Sequence, residues 1–404
     1  MKLEQAHIDQ IRISFEKMQS REDLLCVLNE AKPLVYGEKA VPFKLKQLTW
    51  HSNPKLGSKP YTEFKIKKKS GANRLIHAPV KGLKSIQKTL SFVLQCVYEP
   101  HKAAMGFVRN KSIVDNAKLH VGSKYVYNID LKDFFPSVDQ ARVWRCLQLN
   151  PFYLNGPSRQ KLANMLAAVC CTEMEVERKN EETGEWEKVK RNVLPQGAPT
   201  SPVITNIVCQ KLDYLLSGVA KRFGLKYSRY ADDITFSSMH NVYQPKSEFL
   251  KELHRIIAEQ NFRIKESKTR LQKDGYRKEV TGLLVNEKAN VQQRYVKQLR
   301  MWLYYWERYG YERASGFFLQ QYIADKGHVK NGKPDMANVI SGKLDYLKMV
   351  KGADNELYIK SRNRFEVLTG SSITNDVRPQ HLDKVLDTLF DRGLDDAMDI
   401  YKPI

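Results

Sequence analysis

Two adjacent carboxylates, Asp232 and Asp233, interrupt the run YSRYADDITFSS at residues 227–238, whose flanks are rich in β-formers. Neighbouring carboxylates repel, and they are held together cheaply only where a cation offsets their charge. The run therefore reads as strand, turn, strand, with the acids at the turn. A lone Asp-Asp is most often a solvated turn, but a third acid changes the balance. Asp130 ends a separate strand-like run, KYVYNIDL followed by residue 132. Three carboxylates from neighbouring strands make an oxygen-rich site suited to Mg²⁺, which binds through a few carboxylates plus substrate phosphates. Two such ions ~3.5–4 Å apart clamp the attacking and leaving oxygens of an in-line phosphoryl displacement. Taken alone, Asp130 or Asp133 would serve equally as a helix N-cap before the turn that follows.

The rest of the chain supplies a mixed α/β frame. Residues 1–50 read as helices, with Ser20 and Asp23 forming a capping box around the second. Residues 61–78 alternate apolar and basic side chains around Ser70-Gly71 and predict a β-hairpin. Leu83, Ile86, Leu90, Val93 and Leu94 recur at helical spacing, so 80–98 is an amphipathic helix. Helices are expected at 139–149, 158–171, 246–260 and, as one long apolar element, 203–222. Residues 173–192 alternate in charge and read as a long hairpin, and 279–285 (EVTGLLV) as a strand. After Val291 the pattern is helical and basic, with Trp302, Tyr304, Tyr305, Trp306, Tyr309 and Tyr311 crowded together.

The net charge of +22 in a chain that is 42% hydrophobic argues against disorder and for a polyanionic partner. Six cysteines without a CxxC pair fit a reducing compartment rather than a zinc ribbon or disulfide scaffold. No run approaches the ~18 apolar residues of a membrane span, and residues 1–19 lack the apolar core of a secretory signal. A cytoplasmic protein with no membrane partner is expected.

Three segments then carry a resemblance. Asp130-Leu131-Lys132-Asp133-Phe134-Phe135-Pro136-Ser137, Leu194-Pro195-Gln196-Gly197-Ala198-Pro199-Thr200-Ser201-Pro202 and Tyr230-Ala231-Asp232-Asp233 resemble three consecutive palm motifs of reverse transcriptases, in the family's order. The resemblance, over about residues 60–350, implies an α+β right-hand polymerase with fingers, an antiparallel palm sheet with helices, and a helical thumb. Its boundaries would be an N-terminal helical arm at 1–60, fingers at 61–123, palm at 124–285 with the charged hairpin 173–193, thumb at 286–350 and a C-terminal extension at 351–404. It implies catalysis by Asp130, Asp232, Asp233 and Lys268, and two Mg²⁺ ions (Mn²⁺ a substitute) at Asp130, Leu131, Asp232 and Asp233. Lys268, from the fourth palm motif, would neutralise or protonate the pyrophosphate leaving group. Lys68 and Arg74 of the fingers, Phe135 and Gln196 would bind the nucleotide. Phe135 would be the gate that excludes a 2′-OH, although a plain core role is the simpler alternative. Gly197 would permit close backbone approach to nucleotide or template.

Gly106-Phe107, Ser112 and Asn116-Ala117-Lys118-Leu119-His120, with Val280-Thr281-Gly282, are similar to two signatures of retron reverse transcriptases. By that resemblance Asn116, His120, Val280, Thr281 and Gly282 are RNA-binding candidates. Asn116 and His120 read alternatively as buried hydrogen-bonding residues that shape the palm. The expected function is RNA-directed DNA synthesis on a dedicated structured non-coding RNA. Partners would be that RNA, the RNA/DNA hybrid, dNTPs and a separate effector protein in anti-phage defence. Another defence-associated reverse transcriptase, using a different RNA or making repetitive, untemplated or protein-primed DNA, would carry the same palm. A catalytically dead palm is disfavoured because the carboxylates, Phe135, Gln196 and Arg74 are all present.

Overall fold

The computed structural model describes residues 5–53, 60–67, 71, 73–180, 182–326 and 334–370. They form one compact unit built on residues before 282, the stretch 69–72 apart, and another from residue 282 onward.

In the first unit, helices α1 (Gln5–Lys17), α2 (Arg21–Tyr36) and α3 (Leu45–Ser52) precede a hairpin of β1 (Tyr61–Lys67) and β2 (Asn73–Pro79). The capping box on α2 is present: Ser20 Oγ accepts from Asp23 N, and the Asp23 carboxylate accepts from Ser20 N. Helix α4 (Lys81–Val97) buries Leu83, Ile86, Leu90, Val93 and Leu94, the stripe its spacing predicts. Ile11, Phe15, Leu24 and Leu28 of α1 and α2 join the same core.

The site is built on a five-stranded antiparallel sheet. Helix α5 (Ile113–Leu119) leads to β3 (Tyr125–Lys132), and then come α6 (Gln140–Leu147) and α7 (Arg159–Cys170). The charged hairpin is β4 (Thr172–Lys179) with β5 (Trp186–Val193), in a register that sets Glu175 opposite Lys190 and Glu177 opposite Lys188. Helices α8 (Ser201–Val208) and α9 (Gln210–Arg222) follow, then β6 (Lys226–Tyr230) and β7 (Asp233–Ser238). The single helix expected over 203–222 is thus two, divided at Cys209, where φ stays at −81 but ψ opens to −1, away from the regular helical value. After α10 (Glu248–Glu259) come β8 (Arg263–Ile264), a 3₁₀ turn at Glu266–Lys268 and β9 (Arg270–Gln272). The strand order is β6-β7-β3-β8, with β9 also paired to β3. Ile129 and Leu131 of β3, Phe236 of β7 and Ile204, Ile207 and Leu212 of α8 and α9 share one core.

The strand expected over 279–285 is instead two short ones, β10 (Glu279–Val280) and β11 (Leu283–Leu284). Thr281 (φ 47) and Gly282 (φ 82) between them are left-handed, which no extended strand tolerates.

The second unit is helical. Its helices are α11 (Gln293–Lys326), α12 (Met336–Lys351) and α13 (Glu356–Thr369), with α11 kinked at Gly310 (φ 76). The aromatic crowd divides here. Trp302 and Trp306 are buried with Phe318, while Tyr304 and Tyr309 are exposed.

Candidate active site

β6 and β7 are joined through Ala231 and Asp232 alone, since Tyr230 pairs with Asp233. Ala231 is left-handed (φ 57) at the first turn position, where such a two-residue hairpin usually places glycine. The surroundings hold it there. Met105 N donates to Arg229 O at 2.8 Å, bringing the chain at Gly106 onto the turn. A Cβ on Gly106 would lie 2.5 Å from Ala231 N, so only glycine fits.

Arg229, fully buried, braces the turn from beneath. Its Nε and Nη2 donate to the two oxygens of Asp213 at 2.7 and 2.6 Å, and its Nη1 donates to Ala231 O at 3.2 Å. Arg229 Nη2 also reaches Asn206 Oδ1 at 3.1 Å, and Asn206 Nδ2 donates to Gly106 O at 3.0 Å. Tyr227 OH completes the shell of Asp213 at 2.7 Å. Sequence reading missed this network. Its one visible signal is Asp213, the only acid in the helical run 203–222.

On the sheet, Asp130 of β3 stands directly opposite Asp233 of β7. Directly opposed strand residues have Cβ atoms roughly 4.5–5.5 Å apart. Leu131 N donates to Asp232 O at 2.9 Å, which ties the turn to the end of β3. The three acids named from sequence are therefore brought to one edge. Burial pushes the Asp233 carboxyl up to about 7, with Asp232 and Asp130 adding repulsion. Asp232 is also raised, first by burial and then by Asp130, while Lys268 and Arg74 act against the shift. The 3₁₀ turn after β8 presents Lys268, whose Nζ lies 2.5 Å from Asp130 Oδ2. Among the described residues no ready-made metal cluster of three acidic, histidine or cysteine side chains is formed. The donors nevertheless fit a hard divalent cation, because two half-buried carboxylates carry repulsion that such a charge would relieve. Leu131 has a buried, apolar side chain, so only its backbone oxygen could be a ligand.

Phe135 lies in the turn after β3, partly buried, with Phe134 and Phe107 at ring-centroid distances of 5.5 and 6.2 Å. Arg74 is exposed on β2 opposite Ile66. Lys68 lies outside the described residues. His77 N donates to Gln196 O at 2.9 Å, joining β2 to the Gln196-Gly197 loop. A Cβ on Gly197 would lie 2.6 Å from His77 O, so the close approach this glycine permits is to the protein's own backbone.

Direct RNA contact by Asn116 and His120 is corrected by burial. His120 is fully buried, its Nδ1 2.7 Å from Ser237 Oγ and its Nε2 2.7 Å from Ser228 Oγ. Ser228 Oγ donates to Asn116 Oδ1 at 2.6 Å, and Asn116 Nδ2 to Thr281 Oγ1 at 3.3 Å. This chain cross-links α5, β6, β7 and the residue after β10. Burial, with a smaller push from Lys226, lowers the His120 imidazole to about 3, so it is neutral. Val280 is buried as well, Thr281 is half-buried, and Gly282 is exposed.

A sheet edge with three acids from two strands and a lysine against one of them is the arrangement of a nucleotide-polymerising palm, and the family comparison agrees. A family profile described as "Reverse transcriptase (RNA-dependent DNA polymerase)" matches residues 66–299, and the chain belongs to that family. Within it the chain is of the retron type. It is 32% identical to the Retron Ec86 reverse transcriptase of Escherichia coli, over 59% of this chain and 68% of that one. It is 35% identical to the Retron Mx162 reverse transcriptase of Myxococcus xanthus, over 72% of this chain and 62% of that protein. For the Retron Mx65 reverse transcriptase of the same organism the identity is 38%, over 60% of this chain and 55% of the relative. The chain thus spans less than two thirds of the two Myxococcus proteins. Among solved structures, apo telomerase from Candida tropicalis aligns at 10% identity and TM-score 0.45, over 85% of this chain and 63% of that chain. No helix among the described residues is long and apolar enough to cross a membrane.

Proposed function

We propose that this chain is an RNA-directed DNA polymerase of retron type, which copies part of a dedicated structured non-coding RNA into single-stranded DNA. The observation that carries it is the edge where Asp130 and Asp233 face each other beside Asp232, with two of the three carboxyls held above their ordinary range.

Members of the family use divalent metal, and Mg²⁺ is the natural partner here, two ions being held by Asp130, Asp232, Asp233 and the backbone of Leu131. Bound there, the metal would polarise phosphate oxygens and offset the charge that develops during phosphoryl transfer. The protein's own groups do the rest. Lys268 rests on Asp130, from which it can turn to neutralise or protonate the departing pyrophosphate. Arg74 offers a planar guanidinium to the triphosphate. Phe135 fills the space a 2′-OH would need, and Gln196 lines the nucleotide floor. The exposed Tyr304 and Tyr309 with Arg294, Lys297 and Arg300 supply flat rings and cations for a duplex. In this reading 61–123 are fingers, 124–285 palm and 286–350 thumb. The biological setting is anti-phage defence with a separate effector protein.

Primer extension with purified protein in Mg²⁺, repeated in Mn²⁺, tests the assignment. Asp232→Asn with Asp233→Asn should cut dNTP incorporation by on the order of 10³-fold or more while RNA binding persists. Near-native turnover by the double variant would remove the catalytic assignment.

A further inference from the structure

The charged hairpin β4–β5 lies between two of the palm motifs yet contributes none of the carboxylates. Its contacts converge on one place. Arg178 Nη2 donates to Pro136 O and to Asp139 Oδ1, both at 2.7 Å. The neighbouring Glu177 Oε2 accepts from Lys132 Nζ at 2.8 Å and from Arg263 Nη2 at 2.7 Å. Arg263 in turn lies over the Trp186 ring, 3.6 Å from its centroid, so the far strand of the hairpin is engaged too. Lys132 and Asp139 bound the turn that presents Phe135, and Pro136 is its next residue.

That turn needs an outside hold. Asp133 is left-handed (φ 48), a conformation most residues avoid. Ser137 N and Oγ both donate to Asp133 O, at 2.9 and 2.8 Å, which sets the turn's internal shape. Those bonds do not set its orientation on the sheet. Backbone pairing of Asp139 with Val193 holds only its exit. Beside these contacts, between the hairpin and the turn, lies a cavity of about 990 Å³, lined by Asp133, Pro136, Arg178, Trp186 and Phe262 among others. Phe134, buried against Phe262 with ring centroids 5.6 Å apart, anchors the start of the turn, and the polar hold beyond Phe135 falls to side chains that reach across, Arg178 first.

We propose that the hairpin is a positioning element for sugar selection, in which Arg178, supported by Glu177, aims the turn that carries Phe135. The proposal rests on the reading of Phe135 as the 2′-OH gate. A gate discriminates by a clash with one hydroxyl, so a displacement of a fraction of an ångström in the ring matters more for a ribonucleotide than for a deoxynucleotide. The guanidinium is suited to the task because Nη2 takes Pro136 O and Asp139 Oδ1 while Nη1 donates to Glu177 O at 3.0 Å, so the planar group is fixed through both arms, which a flexible ammonium does less well.

The experiment measures kcat/KM for dATP and for ATP on a primed poly(U) template, using the full chain and the variants Phe135→Ala, Arg178→Ala, Arg178→Lys and Glu177→Gln, with a melting curve for each. Expected is a fall of about tenfold in the dATP/ATP ratio for Arg178→Ala, a smaller fall for Arg178→Lys and for Glu177→Gln, and nearly unchanged kcat with dATP. In the Phe135→Ala background, Arg178→Ala should add nothing to the ratio. If Phe135→Ala lowers the ratio and none of the hairpin variants does, the hairpin has no part in selection and the proposal is overturned. If Phe135→Ala leaves the ratio intact, the gate reading itself fails and the proposal falls with it. Should Arg178→Ala melt early, Glu177→Gln, which keeps the side chain's size, decides the matter alone.

Discussion

Two sets of carboxylates lie close to the Tyr230–Asp233 turn, and they are treated in opposite ways. Asp213 is met by both arms of the Arg229 guanidinium and by the Tyr227 hydroxyl, all at 2.6–2.7 Å. Asp232 and Asp233 are met mainly by each other and by Asp130, and both are raised above the ordinary carboxylate range. The first arrangement closes a charge inside the protein and uses it to brace the backbone at Ala231. The second leaves charge unbalanced at an edge where a cation and a triphosphate can arrive. The contrast teaches how to tell a structural acid from a working one: Asp213 is fully buried and fully paired by Arg229 and Tyr227, whereas Asp232 and Asp233 are half-buried and the nearby Lys268, Arg74 and Arg270 do not offset their burial and repulsion.

The comparison can be broken most sharply at its structural side. Arg229→Met should leave Asp213 buried without its partner, and the loss of stability is expected to be about 3–5 kcal/mol, read by denaturant unfolding. Polymerisation should fall with it, because the Ala231 carbonyl loses its brace. A variant as stable as the parent would show that Asp213 needs no pairing.

At the working acids the sign reverses. Asp233→Asn removes a half-buried charge that Arg270 and Lys268 offset only in part, so it should abolish synthesis yet raise metal-free stability by on the order of 1–3 kcal/mol at pH 8. The pH dependence follows. The Asp233 carboxyl goes from 3.8 unfolded to about 7 folded, so the native state binds more protons inside that window. Its contribution is fully present below 3.8 and is lost as pH rises through about 7. His120 works the other way. Its folded value of about 3 lies below 6.5, so its contribution is present above pH 6.5 and is lost as pH falls toward 3. Thermal melts of the parent, Asp233→Asn and His120→Ala from pH 4 to pH 8 separate the two. Each variant should flatten one opposing slope, and a parallel profile for Asp233→Asn would contradict the uncompensated site.

The smallest effect concerns RNA. His120→Ala should cost about 1–3 kcal/mol through the two buried hydrogen bonds lost at Ser228 and Ser237. It should then slow extension on the cognate RNA and on a generic primed template by the same factor. A loss confined to the cognate RNA would restore a recognition role to this buried chain.

Much of this molecule was legible before any coordinates. The hairpin at 61–78, the stripe on α4, the Ser20 cap and the strand-turn-strand at 227–238 are local patterns, and local periodicity and turn chemistry are what a sequence displays. The three acids were legible as a set because they stand at the ends of strand-like runs, and the motifs around them carried the family. What remained hidden depends on groups distant in sequence. Cys209 breaks a run whose composition reads as unbroken helix, and Thr281 with Gly282 turns a run that reads as strand. Of the two readings open for Asn116 and His120, RNA contact and buried hydrogen bonding, the fold selects the second, and nothing in their own segment reveals the partners Ser228, Ser237 and Thr281. Gly197 looked like a place for substrate until His77 of β2 was found against it. Local pattern thus carries most of the elements, the acids and the family. Which polar residues are paired inside the protein and which are left for a ligand emerges from the fold, because partners such as Ser228 and Ser237 lie in segments remote from His120, and burial of a charge has no signature in the residue itself.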